Sequence, residues 1–249
     1  MASSEPVNFI DIHTHILPGI DDGAKDMDES LRILRDASKA GVKRIVATPH
    51  VFMENISAVL DAAEKSFATL KIETARQGID IEIFLGAEVS LGAGLAEEVK
   101  KDSRLTIGGG GKYILVEMPF FEIPIYAGKT IFDLLVSGVT PIWAHPERCP
   151  EVIDNFNSVC AYTDNGVKLQ INSGSLAGKY GRSVKRAAVN LIENGLAHIM
   201  ASDTHRAGGD ETLLKGFIRL EEICGRGKAL GMCVSAPSEI IGLNKDNNN

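Results

Sequence analysis

Short apolar runs typical of buried strands alternate seven times with helical patterns, and this alternation constrains the fold more than any other feature of the chain. The predicted strands lie at 9–15, 43–48, 79–85, 113–117, 140–144, 167–171 and 197–201. The predicted helices lie at 27–40, 56–76, 95–101, 128–136, 151–165, 182–194 and 211–230. Strands that alternate with helices form parallel sheets. The pattern therefore predicts an α/β fold, either a closed barrel one unit short of the usual eight or an open doubly wound sheet.

The first predicted strand carries an acid and two imidazoles at alternate positions, Asp11, His13 and His15. Because side chains alternate along a strand, all three are expected on one face. Two imidazoles two residues apart on a rigid strand can bind one metal ion. The same pattern also suits a solvated strand face, so it predicts a metal site only if ligands arrive from elsewhere in the chain.

Most of the other predicted strands end on residue types that bind metals. These residues are His50, Glu88, Glu117, His145, Asp203 and His205, and Asp22 lies in the loop after the first strand. In a parallel barrel the carboxyl ends of all strands meet at one face. Any one of these side chains alone could be structural, but five of the six histidines at strand ends predict a shared site. The sixth, His198, is assigned to packing or a core hydrogen bond.

The number and type of these ligands indicate more than one ion. Five imidazoles and four carboxylates exceed the three or four protein ligands of a zinc ion. Two or three ions that share carboxylates suit the set better. Nitrogen and oxygen ligands without thiolates favour manganese, iron or zinc over copper(I).

Composition excludes several other functions. The net charge of −7 argues against a nucleic-acid surface, and no apolar run reaches the roughly 18 residues of a membrane span. Residues 1–6 lack the basic and apolar regions of a signal peptide, so none is expected. The four cysteines form no C-x-x-C pair and are expected to be free thiols in a reducing cytosol. None has an arginine five residues later, so the thiolate mechanism of common tyrosine phosphatases is absent.

Six short motifs, in this order, resemble those of a known superfamily. They are D-I-H-T-H, T-P-H, G-A-E, L-V-E, A-H-P-E-R and A-S-D-T-H, and the combination resembles the PHP (polymerase and histidinol phosphatase) superfamily. The likeness is closest to the bacterial tyrosine-protein phosphatases encoded with capsule and exopolysaccharide genes. Two further segments, I-D-D-G and Q-I-N-S-G-S-L, are similar to signatures of that subgroup. The resemblance extends from about residue 10 to residue 242.

The resemblance implies a distorted seven-stranded barrel, the PHP fold, that holds three divalent ions, most often manganese. No linker or composition break interrupts the alternation of strands and helices, so residues 1–249 are expected to form a single domain, with 1–8 and 244–249 poorly ordered. Carried over residue by residue, it implies three ligand groups: His13, His15, Glu88 and Asp203; Glu88, Glu117 and His145; Asp22, His50 and His205. Arg148 matches the arginine near the substrate phosphate. Family members often carry a second arginine, followed by prolines, shortly after the last D-x-H motif. Here Arg206 is followed by Ala-Gly-Gly instead, which leaves its role as a second phosphate contact open.

Together these features predict a cytoplasmic, metal-dependent phosphomonoester hydrolase that acts on phosphotyrosine. Arg148, Asp203 and His205 are the predicted catalytic residues, and Arg148 and Arg206 the predicted substrate contacts. Phenol, with a pKa of about 10, leaves with little help from an acid. The resemblance implies that the substrate is the tyrosine-rich tail of a bacterial tyrosine kinase. The alternatives are a histidinol-phosphate phosphatase, a metal-dependent amide or phosphodiester hydrolase, and a non-catalytic scaffold of a polysaccharide export complex.

Overall fold

The computed structural model of this chain describes residues 7–208 and 213–243. Its described strands are β1 (Phe9–Thr14), β2 (Val42–Ala47), β3 (His50–Val51), β4 (Glu82–Leu85), β5 (Glu88–Ser90), β6 (Tyr113–Glu117), β7 (Thr140–Ala144), β8 (Lys168–Asn172) and β9 (Ile199–Ala201). Within the described ranges they form two parallel sheets, ordered β1-β2-β4 and β3-β5-β6-β7-β8-β9. The predicted α/β fold with parallel strands is confirmed. The described segments are not seven strands of one sheet, which differs from the predicted barrel.

The difference arises because two of the predicted strands are each followed by a short second segment. β2 and β3 are separated by two residues, and so are β4 and β5. The interruptions face each other, and the main chain stays paired across them: Gly86 N–H donates to the carbonyl of Ala47, and Glu88 N–H donates to that of Pro49. His50 then pairs with Glu88 in parallel register. The two interruptions therefore place two predicted metal ligands side by side.

The first and last strands also approach each other. Thr14 at the end of β1 forms an isolated parallel bridge with Thr204, beyond the end of β9. Two backbone bonds support it, from His15 N–H to the Thr204 carbonyl and from Asp203 N–H to the His13 carbonyl, both 3.0 Å long. The chain segments that carry the first and last predicted ligands are thus joined directly.

The described α-helices pack around these strands. They are α1 (Met27–Lys39), α2 (Ile56–Arg76), α3 (Leu95–Lys101), α4 (Ala127–Val136), α5 (Pro150–Asp154), α6 (Cys160–Asp164), α7 (Ser173–Ala177), α8 (Arg182–Glu193), α9 (Leu213–Cys224), α10 (Arg226–Leu230) and α11 (Ala236–Ile240). Helix α1 begins where predicted, because the Asp26 carboxylate accepts a hydrogen bond from Glu29 N–H and satisfies a free amide of the first turn. None of the described helices has the length and apolar character needed to cross a membrane.

Two of the predicted helices are interrupted. The helix predicted at 151–165 is broken at Asn155, whose extended backbone (φ −148°) separates α5 from a short 3₁₀ turn and α6. The helix predicted at 211–230 is broken at Gly225, whose φ of +80° lies outside the helical region. The beginning of that second helix, like the two tails at 1–6 and 244–249, lies outside the described residues.

Candidate metal centre

The nine predicted metal ligands come together at the carboxyl ends of the strands. Seven of them line one open cavity of about 820 Å³: Asp22, His50, Glu88, Glu117, His145, Asp203 and His205. The other two, His13 and His15, are fully buried against Glu88. Residues from both ends of the chain thus meet in one place, as the carboxyl ends of parallel strands do.

The first group of ligand atoms surrounds Glu88. The Nε2 atoms of His13 and His15 lie 3.2 Å apart, and they lie 3.1 Å and 3.2 Å from Glu88 Oε2. Asp203 Oδ1 is 3.5 Å from each of the two Nε2 atoms. Four donor atoms therefore converge on one point.

A second group adds Glu117 and His145 to the same glutamate. His145 Nε2 lies 3.0 Å from Glu88 Oε1 and 3.7 Å from Glu117 Oε1. His145 also falls within reach of His13 and Asp203, and His50 within reach of Glu88 and Glu117. Glu88 is therefore shared between neighbouring groups, as a bridging carboxylate would be.

The third group lies nearer the solvent. Asp22 Oδ1 is 3.6 Å from His50 Nε2 and 3.4 Å from His205 Nε2. The rings of His15 and His205 stack with their centroids 4.1 Å apart. One donor atom from each of these four residues lies within 4.8 Å of the others, a spacing that one ion can span.

Two buried atoms of the cluster point to cations. Among the described residues, His50 Nδ1 and Glu88 Oε2 have no hydrogen-bond partner, although they lie only 3.0 Å apart. A buried acceptor left without a partner costs about 1–3 kcal/mol. A cation near both atoms would remove that cost, so the residues present fit divalent metal ions.

Without a cation, protons would neutralise part of the negative charge of this cluster. Burial lowers the pKa of His13, but the negative charges of Glu88 and Asp203 outweigh burial and raise it to about 9. Burial raises the pKa of Glu117, and the charge of Glu88 adds to the effect, so that it reaches about 7. Burial also opposes ionisation of Glu88 and Asp203, but His13 beside them brings the pKa of both below the usual range. Metal binding must therefore displace protons.

A chain of amides connects two buried predicted ligands, His13 and Asp203. His13 Nδ1 donates to Gln170 Oε1 (2.8 Å), Gln170 Nε2 donates to Asn172 Oδ1 (2.8 Å), and Asn172 Nδ2 donates to Asp203 Oδ2 (2.6 Å). This network assigns the ring proton of His13 to Nδ1 and leaves the Nε2 lone pair facing the cluster. Sequence reasoning did not assign Gln170 or Asn172 to the site, although both lie at alternate positions on β8.

Asp21 orients a second imidazole and was also missed. Its Oδ2 accepts from His15 Nδ1 (2.8 Å) and from His50 N–H (3.1 Å). Hydrogen bonding to His15 outweighs burial and lowers the pKa of Asp21 to about 2. The I-D-D-G motif contained this residue beside Asp22, but the sequence does not reveal which of the two carboxylates orients a ligand.

Two ligands occupy a strained backbone conformation. His145 (φ 38°) and Asp203 (φ 54°) are the non-glycine residues with positive φ in the described ranges, a conformation that costs about 1–3 kcal/mol at such residues. Backbone hydrogen bonds hold both: His145 N–H donates to the Gln170 carbonyl, and Asp203 N–H to the His13 carbonyl. The strain is therefore localised at residues that face the cluster.

The prediction that Asp11 shares a face with His13 and His15 is wrong. Asp11 pairs with Ile45 of β2 and Thr14 pairs with Ala47, so β1 advances by three residues where β2 advances by two. This bulge changes the side of the strand on which the following side chains lie. Asp11 instead accepts a hydrogen bond from Ser202 N–H (3.0 Å). Its carboxylate therefore connects β1 to the segment after β9.

Arg148 lies beside the cluster. It lines the cavity, and its Nη1 donates to Asp203 Oδ2 at 3.3 Å. The guanidinium carbon lies 4.6 Å from the ring centroid of Phe120 and 4.4 Å from that of Tyr180. Neither aromatic residue was identified from the sequence.

Arg206 lies elsewhere. Its Nη1 donates to the carbonyls of Gly23 and His205, and it contributes to a small cavity between β1, α1 and α9 rather than to the cavity lined by the cluster. Its position gives no support to the predicted phosphate contact.

A cluster of imidazoles and carboxylates around an open cavity in a parallel α/β fold is the geometry of a metal-binding site. The family model for capsular polysaccharide synthesis proteins, CpsB/CapC, matches residues 9–241. The chain belongs to this family, which confirms the resemblance drawn from its motifs.

Relatives agree with this assignment. The chain is 36% identical to tyrosine-protein phosphatase YwqE of Bacillus subtilis over 79% of its length and 77% of the relative. It is 27% identical to tyrosine-protein phosphatase CpsB of Streptococcus pneumoniae, covering 94% and 98% of the two chains. A structure from a study of YwqE and CpsB as metal-dependent tyrosine phosphatases matches with a TM-score of 0.84 and 32% identity, over 94% of this chain and 95% of the other.

A more distant structural match extends only to the fold. The phosphotriesterase homology protein of Escherichia coli, complexed with phosphate, matches with a TM-score of 0.60 and 15% identity over 95% of this chain and 99% of the other.

Proposed function

We propose that this chain is a metal-dependent protein-tyrosine phosphatase that hydrolyses phosphotyrosine. The observation that carries the proposal is the convergence of His50 Nδ1 and Glu88 Oε2, buried without hydrogen-bond partners in the described structure, beside the guanidinium of Arg148 in one cavity. This activity is the one that the named relatives share.

The cluster would hold three divalent ions, with manganese favoured over iron and zinc. His13, His15, Glu88 and Asp203 would hold the first, Glu88, Glu117 and His145 the second, and Asp22, His50 and His205 the third. Oxygen and nitrogen donors without thiolates suit these metals. Such ions supply Lewis-acid charge at the phosphate and allow water to ionise near neutral pH.

The side chains of this protein would divide the remaining tasks. Arg148 binds the equatorial oxygens of the phosphate, since a guanidinium offers two parallel N–H donors. Asp203 accepts one N–H of Arg148 and leaves the others for substrate. His205 donates from Nδ1 to the Asp203 carbonyl (3.0 Å), so its Nε2 lone pair faces Asp22.

The shape of the cavity suits a phosphotyrosine presented by a flexible chain. Phe52 and Phe121 line it and are 45% and 89% exposed. They offer apolar surface to a phenol ring and its neighbours. The proposed physiological substrate is the phosphotyrosine-rich tail of a bacterial tyrosine kinase that controls capsule or exopolysaccharide assembly. A cytosolic location fits the four cysteines, all of them free thiols.

We also propose that the two sheets form one distorted seven-stranded barrel. Counting β2 with β3 and β4 with β5 gives seven strands among the described residues. The bridge from Thr14 to Thr204 joins the first to the last. An experimental structure with continuous pairing around all seven would support this, and an open edge beside β1 would contradict it.

The function is tested with purified protein, assayed on a phosphotyrosyl peptide and on histidinol phosphate before and after chelation. We expect turnover of the peptide, loss of that turnover on chelation, and its return with Mn²⁺. His13→Ala should lose both bound metal and turnover. A strong preference for histidinol phosphate would replace the proposal with the small-molecule alternative, and metal binding without any turnover would support a scaffold.

A further inference from the structure

The guanidinium of Arg148 is in contact with two aromatic side chains from different loops. Phe120 follows β6 and Tyr180 follows α7, while Arg148 itself follows β7. The distances from the guanidinium carbon to the ring centroids, 4.6 Å and 4.4 Å, are within the range of cation–π contacts. All three residues line the same cavity.

The hydrogen bond to Asp203 alone would not fix this arginine. At 3.3 Å it is longer than most charge-assisted bonds, and the Arg148 side chain is 25% exposed. A long side chain that must become ordered on binding costs affinity, about 0.5–1.5 kcal/mol for each such residue. The contacts with the Phe120 and Tyr180 rings restrict the orientation of the guanidinium in the absence of a bound ligand.

The Phe120 ring is itself held in place. The Phe120 ring stacks parallel to that of His145, with an interplanar angle of 6° and centroids 5.6 Å apart. Tyr180 lies in a short loop bounded by Gly178 (φ +88°) and Gly181 (φ +94°), conformations that glycine adopts without strain. Burial raises the pKa of the Tyr180 phenol, so it stays neutral beside Arg148 at physiological pH.

We propose that Tyr180 and Phe120 are positioning residues, which hold the Arg148 guanidinium in the orientation that binds phosphate. The inference rests on the proposed function, because it assigns Arg148 to the substrate phosphate. The rings act through Arg148 and do not contact the reacting atoms.

A double-mutant cycle tests the proposal. Tyr180→Leu is made in the wild-type chain and in Arg148→Ala, and each protein is assayed on para-nitrophenyl phosphate with inorganic phosphate as competitive inhibitor. In the wild-type background we expect kcat/KM and the affinity for inorganic phosphate to fall by roughly 5- to 30-fold, the scale of a partly desolvated cation–π contact. In the Arg148→Ala background we expect no further loss, since the residue through which Tyr180 acts is gone.

Matched variants separate positioning from general damage. Tyr180→Phe keeps the ring and should retain wild-type kinetics. Phe120→Leu should behave like Tyr180→Leu, whereas Phe132→Leu, at a residue of α4 that is 63% exposed and outside the cavity lining, should not. Metal content and melting temperature should match the wild type in Tyr180→Leu.

Three results would overturn the inference. Equal losses in both backgrounds would make Tyr180 a direct substrate contact. Wild-type kinetics in Tyr180→Leu would show that the ring does not position Arg148. Loss of metal in Tyr180→Leu would make its role structural. The proposed function fails separately, by absence of phosphatase turnover in the wild-type protein.

Discussion

His13 Nδ1 lies 2.8 Å from Oε1 of Gln170, a residue 157 positions later in the chain. Through Gln170 and Asn172 this bond connects His13 to Asp203, so two of the deepest ligands are fixed by one chain of hydrogen bonds. His13 and Gln170 are both fully buried. The tautomer of His13 is therefore set by β8 rather than by β1, on which the histidine lies.

Gln170→Leu should weaken metal binding. Leucine leaves His13 Nδ1–H without its acceptor and Asn172 Oδ1 without its donor, and loss of such an outer partner typically costs about 10–100-fold in metal affinity. The measurement is a Mn²⁺ titration of the metal-free protein. Gln170→Glu keeps an acceptor for His13 and should bind metal more tightly than the leucine variant. Wild-type affinity in Gln170→Leu would contradict the role given to this network.

Arg148→Ala should retain the metal ions and lose most of its turnover. Removal of one donor to a charged transition state costs about 10²–10³-fold in rate, and Arg148 is not among the ligand groups of the cluster. Metal content and kcat/KM on a phosphotyrosyl peptide are measured together. Arg206→Ala is the matched control, because Arg206 lies outside the cavity, and it should remain within about threefold of wild type.

Metal binding should become tighter as the pH rises. In the metal-free protein the pKa of Glu117 is raised to about 7 and that of His13 to about 9. Both pKa values are higher in the folded protein than in the unfolded chain, so the folded protein binds more protons between the two values. Its free energy of unfolding therefore falls as the pH rises from the unfolded pKa to the folded pKa of each group. Metal displaces these protons, and the increase in melting temperature on adding Mn²⁺ should be larger at about pH 8.5 than at about pH 6.

The control for this pH dependence is Glu117→Gln. The amide cannot titrate, so the part of the slope between the ordinary pKa of a glutamate, 4.5, and the raised pKa of about 7 should disappear in the metal-free protein. An equal metal-induced increase in melting temperature at both pH values would contradict the protonated state assigned to the cluster.

Gly216→Ala should destabilise the fold even though it lies within helix α9. A Cβ at this position would lie 2.5 Å from Ser173 Cβ and 3.0 Å from Ser173 Cα. Such overpacking typically costs about 1–3 kcal/mol and outweighs the roughly 1 kcal/mol by which a helix prefers alanine to glycine.

Thermal or urea unfolding measures the effect of Gly216→Ala. Gly227→Ala in α10 is the control, because nothing lies within 4 Å of its added methyl group. This control should be neutral or stabilising by up to about 1 kcal/mol. A stable Gly216→Ala would show that α9 can move away from Ser173 at no cost.

The sequence predicted long elements better than interruptions. Helix α2 was predicted with its observed ends, because its 21 residues give a repeated apolar pattern. The segments β3 and β5 were missed, since two or three residues carry no periodicity. The break at Asn155 was also missed: its side chain accepts from Asn157 N–H and begins a new turn, and asparagine is compatible with a helix as well as with a cap.

The sequence predicted which side chains gather in the cluster, because metal chemistry requires particular residue types, and those types recur at strand ends whose convergence follows from parallel pairing. Three further properties depended on tertiary contacts. The bulge after Asp11 directs that carboxylate away from the cluster. Gln170 and Asp21 set the tautomers of His13 and His15. The rings of Phe120 and Tyr180, from separate loops, contact Arg148. Local sequence encodes the type of a side chain, whereas the direction in which it points depends on residues far away in the chain.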